Sequence, residues 1–225
     1  RMEGLITIAI PAGIGPLFVT PQLLEYQQTF PKIEFELITL TSKADEVFVN
    51  HPEKVVHVSI GYGVPGTGDI VSRYSGRMEF IPCCAPSYIK KHGAISDPDQ
   101  CNDLTGLSYT GGTRTRTQEL QNNGVVRQLK WRKSLSFQSL SDLKNACLLG
   151  AGIASDLPLI HCIDELEQGK LVNVLAGWKR PAAGCYLYST RHFTEYRRVS
   201  TFLDWMAEKH RELLDQIDER FRKLA

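Results

Sequence analysis

The 225-residue chain has no apolar run long enough to span a membrane, which takes about 20 residues. It has no surplus of either charge: 26 Lys and Arg stand against 25 Asp and Glu, so the formal net charge is +1. A surface that grips nucleic acid by its phosphates needs a clear Lys/Arg excess, and this chain has none. There is no GxSxG elbow and no phosphate loop, and Gly61-Tyr62-Gly63 is too short a run to cradle phosphates. His51, His57, His92, His161, His192 and His210 are scattered without a partner motif, and a lone strand histidine such as His57 reads as a satisfied core or edge group rather than a base. Cys83, Cys84, Cys101, Cys147, Cys162 and Cys185 form no CxxC pair, and no histidine stands at metal-ligand spacing to them, so neither a metal nor a cofactor is expected. The first residues, Arg1-Met2-Glu3-Gly4, carry no secretory signal, and the thiols are expected to be buried and reduced, as in a cytosolic protein. A redox-sensing pair is the alternative reading, though Cys83 and Cys84 would point to opposite faces of a strand and so could not bond each other. These absences argue against an enzyme.

What the sequence does hold is a regular alternation of elements. Leu5–Ile10 (LITIAI) is short and apolar, a predicted buried strand, broken by Pro11 to Gly15. Pro16 suits the first turn of a helix that should run to Thr29 and stop before Pro31. Strands are predicted at 33–40 and 55–60, and Ser42 with Asp45 reads as a helix start between them. This β-α-β-α-β order implies a parallel sheet with right-handed crossovers. Two strands follow at 70–74 and 78–84, with Ser75-Gly76-Arg77 as the expected turn. A helix from Pro86-Ser87 to His92-Gly93 opens a second series: strands near 107–109 and 135–137, a loop at 110–117, a helix at 141–149, a strand at 153–154, a helix at 158–168 and a strand at 171–175. Cys185 to Ser189 reads as a strand crossing back. In a final helix over 195–221, Val199, Phe202, Leu203, Met206, His210, Leu213, Leu214, Ile217 and Phe221 share one stripe.

The chain is thus expected to build two α/β lobes, residues 1–75 with 183–225 and residues 76–182, joined by two crossing strands that act as a hinge. The default ligand site of such an architecture is the cleft outside the carboxyl ends of the strands. The most informative stretch is Ser139 to Pro158 (SLSDLKNACLLGAGIASDLP), where a hydroxyl-rich cap opens an apolar helix that stops at Gly150-Ala151-Gly152 before a short strand. Together with the opening strand-loop-helix it points to a sensor that closes on a small ligand.

A set of ordered motifs runs through nearly the whole chain: Gly4-Leu5-Ile6-Thr7-Ile8, Phe30-Pro31-Lys32-Ile33, Phe80 to Gly93, Gly150 to Ala154 with Leu157-Pro158, Gly169-Lys170-Leu171-Val172, Tyr186-Leu187-Tyr188 with Arg191, and Phe202-Leu203. In that order and spacing the chain resembles the effector-binding domain of LysR-type bacterial transcriptional regulators. The resemblance implies a periplasmic-binding-protein-like fold of two Rossmann-like lobes, a cytoplasmic protein that binds a small-molecule effector, and DNA binding only through an amino-terminal winged helix-turn-helix and linker helix that these residues do not include. It implies a homodimer or homotetramer in which Leu17, Leu24 and Gln27 of the first helix lie near a second chain, or else cover only their own sheet. A solute-binding protein of a transport system would share the fold and is the alternative.

Effector contacts are expected at three helix starts. The first is the loop carrying Pro11, Ala12, Gly13 and Ile14, with Gly15, where backbone amides can approach a ligand closely and family members hold their effectors. The second is Thr41-Ser42, where Ser42 matches a hydroxyl that often touches effectors but could equally be a plain helix cap. The third is Ser139 to Asp142, where one of Ser139 and Ser141 caps the helix and the other is open to the ligand. Tyr62 adds an aromatic face from a loop, unless it packs beneath one. Thr110, with Arg114 and Arg116 in the same segment, completes the set, the arginines being either a source of positive charge or solvated. Two positions depart from the family: His57-Val58-Ser59-Ile60 stands where Asp-Val-Ala-Ile is common, and Tyr62 where an arginine often follows the glycine. Losing that guanidinium removes a bidentate anion clamp and favours a neutral or aromatic ligand.

Overall fold

The computed structural model describes residues 1–14, 18–50, 54–66 and 68–224. Gly4–Ile10 forms β1, Thr20–Thr29 α1, Ile33–Thr39 β2, Val47–Asn50 α2, Val58–Tyr62 β3 and Ile70–Met78 β4. Then follow β5 (Phe80–Cys84), α3 (Pro86–His92), a 3-10 turn at Pro98–Asp103, β6 (Thr105–Tyr109), β7 (Glu119–Asn122), β8 (Val125–Gln128), β9 (Lys133–Phe137), α4 (Leu140–Leu148), β10 (Ile153–Pro158), α5 (Leu159–Glu167) and β11 (Val172–Asn173). β12 (Ala183–Thr190), α6 (Arg191–Thr194) and α7 (Arg197–Arg222) end the series. The chain divides into two compact units, one of residues 1–77, 112–114 and 183–215, the other of residues 78–111, 115–182 and 216–225.

In the first unit the strand order is β2-β1-β3-β12-β4. β1 pairs parallel with both β2 and β3, and β12 returns antiparallel to β3. β1 is apolar in its buried part except for Thr7, with both its faces covered, whereas β2 lies at the edge with Ile33 buried and Glu34 and Leu37 exposed. In the second unit the order is β11-β5-β10-β6-β9, with β10 parallel to β6 and antiparallel to β5, and β6 parallel to β9. β10 is buried at all six positions and is the centre of that sheet. Two mixed α/β units of this kind are the expected fold class.

Several local expectations are corrected. Ser75-Gly76-Arg77 is not a turn but lies inside β4. Gly76 is there because α7 passes close: a Cβ would stand 3.2 Å from Arg211 Cα and 3.0 Å from Leu214 Cδ1. Val55 to Val56 lie outside β3, which starts at Val58 and includes Tyr62. β10 runs on through Asp156 to Pro158, and β11 shrinks to Val172–Asn173. α1 starts at Thr20 with Pro21 in its first turn, while the expected start at Pro16 lies outside the described residues, as do Gly15, Leu17 and His51. The hairpin of β7 and β8 has no counterpart in the sequence reading, although Asn123-Gly124 at its tip is a strong turn signal.

α7 is amphipathic as its stripe requires: Val199, Phe202, Leu203, Met206, His210, Leu214 and Ile217 are buried, while Leu213 and Phe221 are only half-buried. Its aromatic side chains clasp α1. Tyr26 lies edge-on to Phe202 at 5.1 Å and 4.9 Å from Trp205, and Phe35 of β2 meets Phe202 at 5.1 Å. Such pairs add about 0.5–1.5 kcal/mol each beyond the area they bury. The Tyr26 hydroxyl has no hydrogen-bond partner among the described residues, and burial pushes its pKa up to about 12. An unmet buried hydroxyl costs stability, so Tyr26→Phe should raise the unfolding free energy by about 1 kcal/mol, read by urea titration.

His210 on the same helix is 2% exposed, and desolvation pulls its pKa down to about 4. The unfolded chain takes up that proton near 6.5, the folded chain only near 4. The native state is therefore at full strength above pH 6.5 and loses stability as the pH falls towards 4, by about 3 kcal/mol over the whole window. His210→Leu should flatten that part of the stability profile, as measured by urea unfolding at pH 7 and pH 4.5.

Candidate functional site

Adjacent parallel strands deliver their following loops to one edge of a sheet, and in the first unit this places three segments side by side. β1 ends at Ile10, whose carbonyl accepts from the Leu40 amide at 2.7 Å, so the exits of β1 and β2 are tied together. Beyond Ile10, Pro11 and Ile14 are buried, Ala12 is half-buried and Gly13 is exposed at φ +93°. The Ile14 carbonyl accepts from the amides of Phe18 and Val19 at 3.1 and 3.2 Å, which starts the turn into α1. The apolar side chain of Ile14 thus packs into the protein, leaving the Ala12–Gly13 backbone as the open part of the loop.

Beyond β2, Thr41 is exposed and Ser42 half-buried. Ser42 does not cap a helix: its hydroxyl donates to the Lys43 carbonyl at 3.2 Å, and α2 begins only at Val47. The segment after it is pinned to β3 and its exit, since the Ser59 hydroxyl donates to the Ala44 carbonyl at 2.6 Å and the Gly66 amide to the Asp45 carboxylate at 3.0 Å. Tyr62 is half-buried and sits within β3, paired with Cys185 of β12, rather than in a loop. The Tyr188 hydroxyl donates to the Gly63 carbonyl, and burial raises the pKa of that phenol. Gly61, Gly63 and Gly66 have the spacing of a dinucleotide-binding loop, a match the reading of Gly61-Tyr62-Gly63 as a short run leaves out. The motif needs a helix directly after the strand, and the next element here is β4.

Residues 112–114 belong to this same unit. Gly112 is pressed on Thr41: a Cβ would stand 2.2 Å from the Thr41 carbonyl oxygen. Arg114 is 8% exposed, so it is not a solvated loop residue, whereas Arg116 is exposed and reaches the Ser108 hydroxyl at 3.5 Å.

The second unit carries the remaining expected contacts. Thr110 is exposed, and its amide donates to the Phe137 carbonyl at 2.8 Å, just past the β6–β9 pairing. Ser139 caps α4 by accepting from the Asp142 amide at 3.3 Å, which leaves Ser141 as the second, half-buried hydroxyl of the first turn. The nearby loop is held by a polar knot that sequence reading missed. Arg180 donates to the Thr115 carbonyl at 2.6 Å and the Thr117 hydroxyl at 2.9 Å, stands 4.0 Å from the Asp156 carboxylate, and lies over the Phe80 ring at 5.2 Å. Thr117 also donates to Asp156, which is buried in β10. Nothing local in the sequence links Arg180 to residues 65 positions earlier.

His57 is a structural group: its Nδ1 accepts from the Thr7 amide at 3.0 Å, and burial, then the charge of Arg198, hold its pKa below the ordinary value. Among the described residues no group of His, Cys, Asp or Glu could hold a metal ion, and no helix is long and apolar enough to cross a membrane. Leu24 of the first helix is 58% exposed, while the Gln27 side chain donates to the Ile33 carbonyl of its own sheet at 2.8 Å.

Two α/β units with open strand-end loops define a two-lobed ligand-binding domain. A family model described as the LysR substrate binding domain matches residues 1–211, and the chain belongs to that family, as the effector-binding domain of a LysR-type regulator. It is 27% identical over 216 residues to YhjC, an uncharacterized HTH-type transcriptional regulator of Escherichia coli, covering 95% of this chain and 70% of that protein. An HTH-type transcriptional repressor of Pseudomonas aeruginosa is 25% identical over 213 residues, 92% of this chain and 62% of its own length. The CrgA regulatory domain of Neisseria meningitidis, a LysR-type regulator, has the same fold: TM-score 0.75 at 19% identity, with 91% of this chain and 98% of that one covered. The effector domain of AmpR from Pseudomonas aeruginosa gives a TM-score of 0.72 at 14% identity, over 95% and 98% of the two chains. The fold is that of periplasmic binding proteins, and relatives that are transcriptional regulators favour that reading over a transport protein.

Gly112→Ala should lower the stability of the first unit by about 1–3 kcal/mol, because the Thr41 carbonyl is backbone and cannot swing away as a side chain would. Thermal unfolding of the variant beside the wild type measures the loss.

Proposed function

We propose that this domain takes up a small organic effector through Pro11, Ala12, Gly13 and Ile14, Thr41 and Ser42, and Tyr62 of the first unit, with Thr110, Ser139 and Ser141 as the second unit's contribution. The observation that carries the reading is the alignment of three parallel-strand exits at one edge, with an open backbone at Ala12–Gly13 and a hydroxyl at Ser42 that, among the described residues, meets a neighbouring carbonyl. Ligands of open α/β sheets bind outside the carboxyl ends of strands for this reason: the loops there are free to vary while the sheet holds them still. Ile14 bears on the ligand through its backbone, since its side chain is packed away. An aromatic Tyr62 in place of a guanidinium favours a neutral or aromatic effector over a strongly anionic one.

The domain senses and does not catalyse. It acts in the cytoplasm, within a homodimer or homotetramer to which an exposed Leu24 contributes, and it reaches DNA through an amino-terminal winged helix-turn-helix and not through its own near-neutral surface. The effector must bind two arrangements of the oligomer unequally, or no signal passes to the DNA-binding heads.

A thermal-shift screen against small carboxylates, amino acids and aromatic metabolites tests this, because a ligand that binds only the native state raises the melting temperature. The hit is then titrated against the Ser42→Ala/Ser139→Ala double variant. Losing the α4 cap lowers the baseline stability by about 1 kcal/mol. Affinity should fall at least about tenfold, the loss of roughly two hydrogen bonds. Unchanged affinity in the double variant overturns the site.

A further inference from the structure

Away from the strand exits, three thiols meet inside the second unit. Cys83 lies on β5, Cys147 on α4 and Cys162 on α5; all three have no exposed surface, and all are free. The Cys83 side chain is within hydrogen-bonding reach of both the others. Cys147 Sγ donates to the Cys83 carbonyl at 3.4 Å, and Cys162 Sγ to the Pro158 carbonyl at 3.6 Å. Among the described residues no group of His, Cys, Asp or Glu, this cluster included, could hold a metal ion.

The thiols are not equivalent. Hydrogen bonds from Cys83 and from the Ala154 backbone outweigh burial at Cys147 and hold its pKa below the ordinary thiol value. Cys83, flanked by two thiols and buried, is pushed well above it. Cys84 and Cys101 are pushed up to about 12, chiefly by burial. The thiolate is the nucleophile, so Cys147 attacks first and Cys83, in contact with it, resolves the product.

We infer that Cys147 and Cys83 form a hydroperoxide-reactive pair that closes a reversible disulfide between α4 and β5. In the first step the Cys147 sulfur attacks the terminal peroxide oxygen, the O–O bond breaks, and the thiol proton goes to the departing oxygen. This gives a sulfenic acid and an alcohol, or water from hydrogen peroxide. In the second, the Cys83 sulfur attacks that of Cys147, the S–O bond breaks, and the leaving hydroxide takes the Cys83 proton as water. Two thiols lose two electrons and two protons, and one peroxide is reduced. Access comes through local opening at the carboxyl end of α4, where Leu149 is 86% exposed ahead of Gly150. The bond requires the sulfurs to close to about 2.05 Å, which draws α4 onto the sheet. The sulfur chemistry goes beyond the effector reading and needs no effector, so each fails separately.

The test is hydrogen peroxide treatment of the protein, denaturation, alkylation and peptide mapping. Two of the six thiols should be lost, a Cys83–Cys147 linked peptide should appear, and dithiothreitol should restore both thiols. Cys147→Ser should abolish the loss and the linked peptide, while Cys162→Ser should keep both. All six thiols persisting, a linkage that spares Cys147, or equal thiol loss in Cys147→Ser overturns the assignment. Where a variant does not fold, the wild-type map alone decides, by the presence or absence of the linked peptide.

Discussion

Each unit is built around strands buried on both faces, among them β1 in the first and β10 in the second. In β1 the side chains of Ile6, Ile8 and Ala9 have no exposed surface, and β10 is buried from Ile153 to Pro158. β1 is flanked by the parallel strands β2 and β3, with helices in the connections between them, whereas β10 runs parallel to β6 and antiparallel to β5. Parallel neighbours in turn bring their exits to the same edge. The gathering of Pro11, Thr41 and Tyr62 is therefore a geometric consequence of the parallel pairing of β1 with β2 and β3, before any ligand is considered.

β1 and β10 differ in one respect that bears on function. β1 is almost wholly apolar, while β10 buries Ser155 and Asp156. A buried carboxylate is costly unless paired and hydrogen-bonded, and Asp156 is met by Thr117 and by Arg180. Because Thr117 and Arg180 are supplied from outside the sheet, the cost of burying Asp156 is converted into a fixed position for the loop ahead of β7.

How much of this was legible follows from where the information lies. β1, α3, α4, α5 and α7 could be read because their burial pattern is local: a periodic stripe or an apolar run, bounded by Pro31, Gly93 or Gly150. The Ser139 cap could be read from its hydroxyl three residues before the amide it meets. Gly76 could not, since a glycine that makes room for the backbone of a helix some 135 positions later has the same letter as one that turns the chain. Arg114 failed for a related reason: its burial depends on where residues 112–114 pack, not on their composition. The hairpin at Asn123-Gly124 is different, because its signal was present and local; its strands are short and exposed, so the apolar pattern that marks the other strands is weak there. For the site, strand exits were recoverable from element order, whereas Ser42's bond to Lys43 and Tyr62's place within β3 depend on where α2 starts and on pairing with β12.

Under the effector and thiol proposals, α4 joins two chemistries of the second unit. Its first turn holds Ser139 and Ser141 and its last holds Cys147, and nine residues of helix span only about 14 Å. So short a helix, with Leu140, Leu143 and Cys147 packed inward, has little slack between its two ends. A displacement fixed at Cys147 is then carried to the hydroxyls at the other end, and a ligand held by those hydroxyls resists it. The coupling is reciprocal: if drawing α4 onto β5 weakens effector binding by some factor, bound effector disfavours closing the disulfide by the same factor. Effector and oxidant would then act on one element from opposite ends, with no separate relay between them.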